Sequence, residues 1–201
     1  MVSKLFTLMG TVLLIAALSL WGYNTWEDHQ AGSASAQHLQ ALVQQVPPVK
    51  DSGLMLDIPV PEEELLPEDV QMQETMVNGY AYIGYLSIPA LKLELPVMSK
   101  WDYENLDIAP CRYYGTMKGE DLVLLAHNFP THFGKISKLK EGAEIVFTDT
   151  EGTAYHYRVA KHETLGPDAA VEMTQSGYAL TLFTCTNDSQ SRVVVRCDLR
   201  N

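Results

Sequence analysis

Residues 5–23, LFTLMGTVLLIAALSLWGY, are nineteen consecutive positions without a charge. At a rise of about 1.5 Å per residue, a helix of that length crosses the roughly 30 Å of bilayer hydrocarbon. The run is apolar on every side, so it offers water no polar face and cannot be a surface helix of a globule. Lys4 precedes it, and Glu27 and Asp28 follow it. The cationic flank predicts a cytoplasmic N-terminus with the bulk of the chain outside. Trp21, Tyr23 and Trp26 would lie at the outer interface as aromatic anchors. Ala34-Ser35-Ala36 has the small-x-small form of a leader cleavage site. It stands well beyond the apolar run, however, and the run is longer than the core of an ordinary leader. The pattern predicts an uncleaved single-pass anchor over residues 1–26. A cleaved leader would export the remainder equally.

Charge then divides the chain again. The formal net charge is −11, and −8 of it lies in residues 1–78 against −3 in residues 79–201. A surplus of acid excludes a general nucleic-acid binder, which needs Lys and Arg to neutralise phosphates. Residues 27–78 are predicted to be an acidic, Pro-containing linker. Residues 37–46 could form a short helix that Pro47-Pro48 ends, and the acidic, proline-broken stretch 59–69 favours an extended, solvated chain. His29 and His38 fall in this tether and drop out as catalytic candidates.

From Gly79 the texture changes. Segments 81–88, 91–97, 122–127, 144–148, 154–162, 179–185 and 192–199 are rich in Val, Ile, Leu, Tyr or Thr, with Pro or Gly at their edges. Residues 111–114 could add a short strand. Helical material is sparse, at 103–106, 133–139 and 168–175. Seven or eight short, closely spaced strands predict a mainly β domain over residues 79–201, closed as an antiparallel barrel so that no edge is left open. No cysteine–histidine cluster has zinc-ligand spacing and no phosphate-binding glycine loop occurs, so no cofactor or metal is called for.

Chemistry concentrates near the C-terminus. Thr181-Leu182-Phe183-Thr184-Cys185 reads as a strand delivering a cysteine to its end. Residues 186–191 are a polar turn, and Arg192 begins the returning strand, which places a guanidinium across from the thiol. An Arg there could hydrogen-bond an oxyanion or grip a substrate carbonyl. A cysteine on an apolar strand is more often a small core residue, but the polar turn puts this one at a rim. A thiol nucleophile also needs an acid/base partner. His127 ends the buried strand 122–126 and so reaches a rim as well, with His132 in reserve. His156 and His162 lie along one strand and read as solvent-facing.

These residues resemble the sortase family. Thr181–Cys185 is similar to its TLxTC signature, Arg192 sits seven positions on where the family has its arginine, and His127 stands 58 residues before Cys185. Phe133 and Leu139 resemble landmarks downstream of the family histidine, and residues 84–89 and 93–97 resemble the first two barrel strands. The resemblance covers about residues 80–199. Two departures stand out. Ala126 replaces the usual glycine before the histidine. The Asp-Pro-aromatic lid and C-terminal membrane helix of pilus-assembling members are not seen, so the expectation is a sortase not of the pilus-polymerising type.

The resemblance implies a cysteine transpeptidase held on the outer face of a Gram-positive-type cell membrane, with the N-terminus cytoplasmic. Its partners would be sorting-signal peptides of surface proteins and an amine of a cell-wall precursor. Cys185, His127 and Arg192 would be catalytic, and the backbone N–H of Thr186 a second oxyanion donor. Thr184 would help line the peptide groove. The loop 162–178 would read the sorting motif, with Leu165, Pro167, Ala169, Ala170 and Val171 supplying an apolar wall. Cys111 and Cys197 could bridge outside the cell or remain two buried thiols, and the scattered acids Asp107 and Glu141–Glu144 read as ordinary surface charge. A surface cysteine endopeptidase with water as acceptor would need the same three residues. A non-catalytic peptide-binding module would not need all of them.

Overall fold

In the computed structural model, which describes residues 2–51 and 72–200, every segment with the alternating or apolar β texture becomes a strand. The strands are β1 (Lys50–Asp51), β2 (Thr75–Val77), β3 (Tyr80–Ile88), β4 (Leu93–Met98), β5 (Cys111–Tyr114), β6 (Leu122–Leu125), β7 (Glu144–Asp149), β8 (Thr153–Leu165), β9 (Leu180–Cys185) and β10 (Arg192–Leu199). Hydrogen bonding runs β8-β10-β9-β6-β5-β4-β3, and β7 joins β3 back to β8. That circuit is a closed eight-stranded barrel. Closure removes the open edges that so many short strands would otherwise present. Outside the circuit, β2 extends β3, and β1 lies parallel to β8.

The expected antiparallel pairing fails at two junctions. β4 and β5 are parallel, as are β6 and β9. Parallel neighbours need a long return connection. Residues 99–110, with helix α2 (Tyr103–Ile108), provide the first, and the β7–β8 hairpin lies between the partners of the second. Asp102 starts α2 by accepting the Asn105 N–H at 2.7 Å, a side-chain cap on an otherwise unpaired donor. A second α-helix of the domain, α3 (Ala170–Thr174), lies in the β8–β9 connection, and single 3-10 turns occupy Pro89–Leu91 and Ile136–Lys138.

Strand alternation sorts the side chains. Ile83, Leu86, Ile88, Leu95, Val97, Leu122, Leu124, Leu180, Leu182 and Val195 fill the barrel. The step from Ile83 to Leu86 breaks strict alternation, and a bulge between Tyr82 and Gly84 absorbs it. Gly84 has φ +147°, and a Cβ there would lie 2.1 Å from the Thr148 carbonyl oxygen, so no side chain fits where β3 meets β7. Cys197 is walled into the barrel, whereas Cys111 belongs to a separate cluster outside it with Tyr82, Met98 and Leu106. Both thiols are free, so no bridge joins them.

The larger difference from expectation lies at the N-terminus. Helix α1 runs without a break over Val2–Val43, through the stretch 27–43 that reads as solvated tether. Its apolar first half is uncovered by any protein. Its second half packs on the barrel: Ala31, Ser35 and Leu42 are buried, and His38 Nδ1 pairs with the Tyr82 hydroxyl at 2.7 Å. These four positions recur at helical spacing, one stripe against β2, β3 and β4. The acidic stretch 59–69 lies outside the described residues.

Candidate active site

One register gathers the three candidate residues. Leu122 pairs with Leu180 and Leu125 with Phe183 across the parallel β6–β9 junction. Continued by two residues, the same offset brings His127 level with Cys185. Side chains at 122, 124 and 180, 182 point into the barrel, so those at 127 and 185 leave by the outer face. On the other side of β9, Arg192 is the direct cross-strand partner of Cys185, so its side chain emerges on the same face. His127, Cys185 and Arg192 thus line one groove of about 270 Å³.

Aromatic and small residues build the groove. Trp101, Tyr103 and Tyr113 form one wall, and Gly166, Pro167, Ala169 and Ala170 another, over a floor of Leu125, Met173 and Phe183. Tyr113 meets Phe183 edge-on at 5.2 Å and Trp101 at 6.0 Å, which stiffens that wall. Pro167, Ala169 and Ala170 thus line the same groove as Cys185. Leu165 is still in β8 and packs behind the groove with Val123, Phe183 and Val194, and Val171 is exposed.

Two expected contributors do not stand as read. Thr184 follows Leu182 on the inward face, is 2% exposed, and its hydroxyl has no hydrogen-bond partner. Alternation turns it away from the groove that Phe183 and Cys185 face. Thr186 spends its N–H on the Ser191 carbonyl at 2.9 Å, and its hydroxyl on Asp188. The N–H closes the β9–β10 turn and is not free for an oxyanion. The same turn holds Arg192, whose Nη1 donates to the Ser189 and Ser191 carbonyls at 3.3 and 3.1 Å. Among the described residues, Nε and Nη2 make no such bond.

Asp107, at the end of α2, takes a part that its sequence context does not signal. Its Oδ1 lies 3.2 Å from His127 Nε2. Sequence reading leaves it among scattered acids because nothing local couples position 107 to position 127. The groove side of α2 makes that link.

His132 is no substitute for His127. It is fully buried, neither ring nitrogen is hydrogen-bonded, and the Phe129 ring lies between it and His127, at 5.8 and 4.9 Å. Burial first, then the charge of His127, pulls its pKa down from 6.5 to about 4, against weaker opposing effects of the Ala31 carbonyl, Asp28 and Asp107. The unfolded chain therefore takes up a proton here near pH 6.5 and the folded chain only near 4. Stability from this group is complete above about 6.5 and drains away as pH falls towards 4, by on the order of 3 kcal/mol. Denaturant midpoints at pH 7 and 4.5 should show that loss, and His132→Leu should reduce it.

A sortase-domain family model matches residues 86–200. Sortase A of Bacillus anthracis is 26% identical over 204 residues, covering 98% of this chain and 95% of that protein. Among solved structures, the sortase D5 transpeptidase of Clostridium perfringens superposes with a TM-score of 0.54 at 20% identity, over 63% of this chain and 83% of that one. Sortase C of Clostridium perfringens SM101 gives 0.52 at 19% identity over 87% and 90%. Sortase C1 of Streptococcus agalactiae gives 0.52 at 22% over 63% and 71%. At such identities the structural likeness speaks for the fold.

Proposed function

This chain belongs to the sortase family of cell-wall transpeptidases, and on that premise we propose a membrane-anchored enzyme that cleaves an LPxTG-like sorting signal and passes the acyl part to a cell-wall amine. The observation that carries the reading is the shared register of His127, Cys185 and Arg192 on one outer face. The Cys185 thiolate attacks the carbonyl carbon after the threonine, and a carbon–sulfur bond forms as the carbon–nitrogen bond breaks. His127 gives its proton to the departing amine and later takes one from the incoming amine. Asp107 at Nε2 leaves Nδ1 as the ring atom for this exchange. With the Thr186 N–H spent in the turn, the tetrahedral oxyanion falls to Arg192 Nε and Nη2. The wall at Pro167 and Ala170 faces the apolar residues of the signal.

The first half of α1 is the anchor, with Lys4 inside and the barrel outside. Trp26 marks the outer interface and Asp28, two residues on, already touches the His127 loop at Thr131, so that loop stands within about one helical turn, ~5 Å, of the bilayer surface. That height suits a signal still tethered to the membrane by its own C-terminal remainder.

The test uses the full chain in detergent micelles with a pool of LPxTG-like peptides and an amine, the products identified by mass. An amine adduct and an acyl-enzyme are expected. His127→Ala and Arg192→Ala should each slow turnover about a hundredfold, the scale for losing an acid/base or an oxyanion donor. Near-normal rates would remove that residue from the mechanism. Cleavage indifferent to added amine would make the enzyme an endopeptidase.

A further inference from the structure

The loop that carries His127 is gripped from outside by α1. Asp28 Oδ1 accepts the Thr131 N–H at 2.9 Å. The Thr131 hydroxyl lies 2.6 Å from the same oxygen and 3.1 Å from the Asp28 carbonyl oxygen, donating between them. One turn on, a Cβ at Gly32 would fall 2.8 Å from the Thr131 methyl, so the helix approaches closer than any side chain there permits.

Inside the loop, every link leads back to the histidine. The Phe129 carbonyl accepts the N–H groups of His132 and Gly134, both at 2.9 Å, and the His127 carbonyl accepts the Phe133 N–H at 3.1 Å. His132, next to Thr131, is buried beneath the Phe129 ring, and Phe129 packs on the His127 imidazole. The only direct polar contact to that imidazole among the described residues is Asp107, itself on an exposed helix end, so one side of the ring is set by the loop.

We infer that Asp28 is a positioning residue for His127: through Thr131 and the Phe129–His132 packing, the membrane-proximal turn of α1 holds the imidazole in its place in the groove. The inference rests on His127 as the acid/base of the proposed reaction. It makes α1 part of the active-site scaffold as well as a tether. Catalysis is sensitive to such support, because a displacement near 1 Å at a reacting group can cost up to about a hundredfold.

The experiment compares full-length chains in micelles by steady-state kinetics with a sorting-signal peptide and by the NMR signals of the His127 ring. Asp28→Leu should lower kcat about tenfold or more with KM within about twofold, and should shift the ring signals. Asp28→Asn should restore both, since its carbonyl oxygen accepts the same two bonds. Thr131→Val should fall in the same direction, and the double variant should lose little beyond the worse single, as partners in one contact do. An unchanged kcat and ring spectrum in Asp28→Leu, an equal loss in Asp28→Asn, or additive losses would overturn the inference. Turnover that survives His127→Ala would instead overturn the functional reading beneath it.

Discussion

Cys185→Ala is expected to abolish transfer and the acyl-enzyme together while leaving the fold intact. The side chain lies half-buried at the groove, not in the barrel, so its removal opens no core cavity. Neither remaining cysteine can take over. Cys111 is buried, its thiol donates to the Ala109 carbonyl at 3.3 Å, and burial above all pushes its pKa up to about 12. Cys197 is fully enclosed, and burial raises its pKa as well. At neutral pH both stay protonated and out of reach, and a thiol is a poor nucleophile beside a thiolate. Loss of an enzyme nucleophile is typically worth a factor of about 10⁴ to 10⁶. A thiol-directed reagent should add one label to the wild-type chain and none to the variant by intact mass. An acyl adduct on Cys111 or Cys197, or turnover within about tenfold of wild type, would sink the assignment.

The second large effect is on stability and belongs to Arg196, a residue outside the chemistry. The residue is 1% exposed, on the face of β10 opposite the barrel core. Nε bonds Glu163 at 2.9 Å, Nη1 bonds the Thr181 hydroxyl at 2.9 Å and the Met173 carbonyl at 3.2 Å, and Nη2 bonds the Glu172 carbonyl at 2.7 Å. The two carbonyls belong to the end of α3, where a helix leaves its last acceptors unpaired. One guanidinium thus ties the groove-lining connection to β8 and β9. Lys161 and Arg196 together hold the Glu163 carboxyl below its usual range. Arg196→Leu would strand the hydroxyl, two carbonyls and part of that carboxylate. Glu163 is partly exposed and keeps Lys161, so the cost falls on the buried acceptors, at about 1–3 kcal/mol for each left unpaired. Arg196→Lys should recover only part, because a point charge cannot make the forked contacts. Denaturant midpoints should show the loss, and KM for the sorting peptide should rise as the Pro167–Ala170 wall loosens. A cost below about 1 kcal/mol would mean that the network contributes little.

The barrel was legible because its signals are local. Alternation, turn residues and the apolar run mark strand positions within short windows, and seven of the eight barrel strands stand out with the eighth, β5, as a short addition. The 58-residue spacing of His127 and Cys185 turns out to be the β6–β9 register itself. The helix stripe was harder to see. Ala31, Ser35 and His38 are small or polar and carry almost no hydropathy signal, although their helical spacing with Leu42 is present in the chain. Thr184 and Thr186 were misread because a motif names residues without saying which face of a strand they take or what closes the turn. Asp107 was missed because its link to His127 bridges twenty positions through α2.

The apolar membrane-length run, the β character of residues 79–201, and the choice of cysteine, histidine and arginine that reach strand ends all follow from short windows of residues, since hydropathy period and turn chemistry act over a few neighbours. The two parallel junctions, the docking of α1 on the His127 loop and the burial of His132 came only with the tertiary fold. Each of those depends on a partner that no local window contains, as with Asp28 and Thr131, 103 positions apart, and only closure of the barrel brings such partners within hydrogen-bond reach.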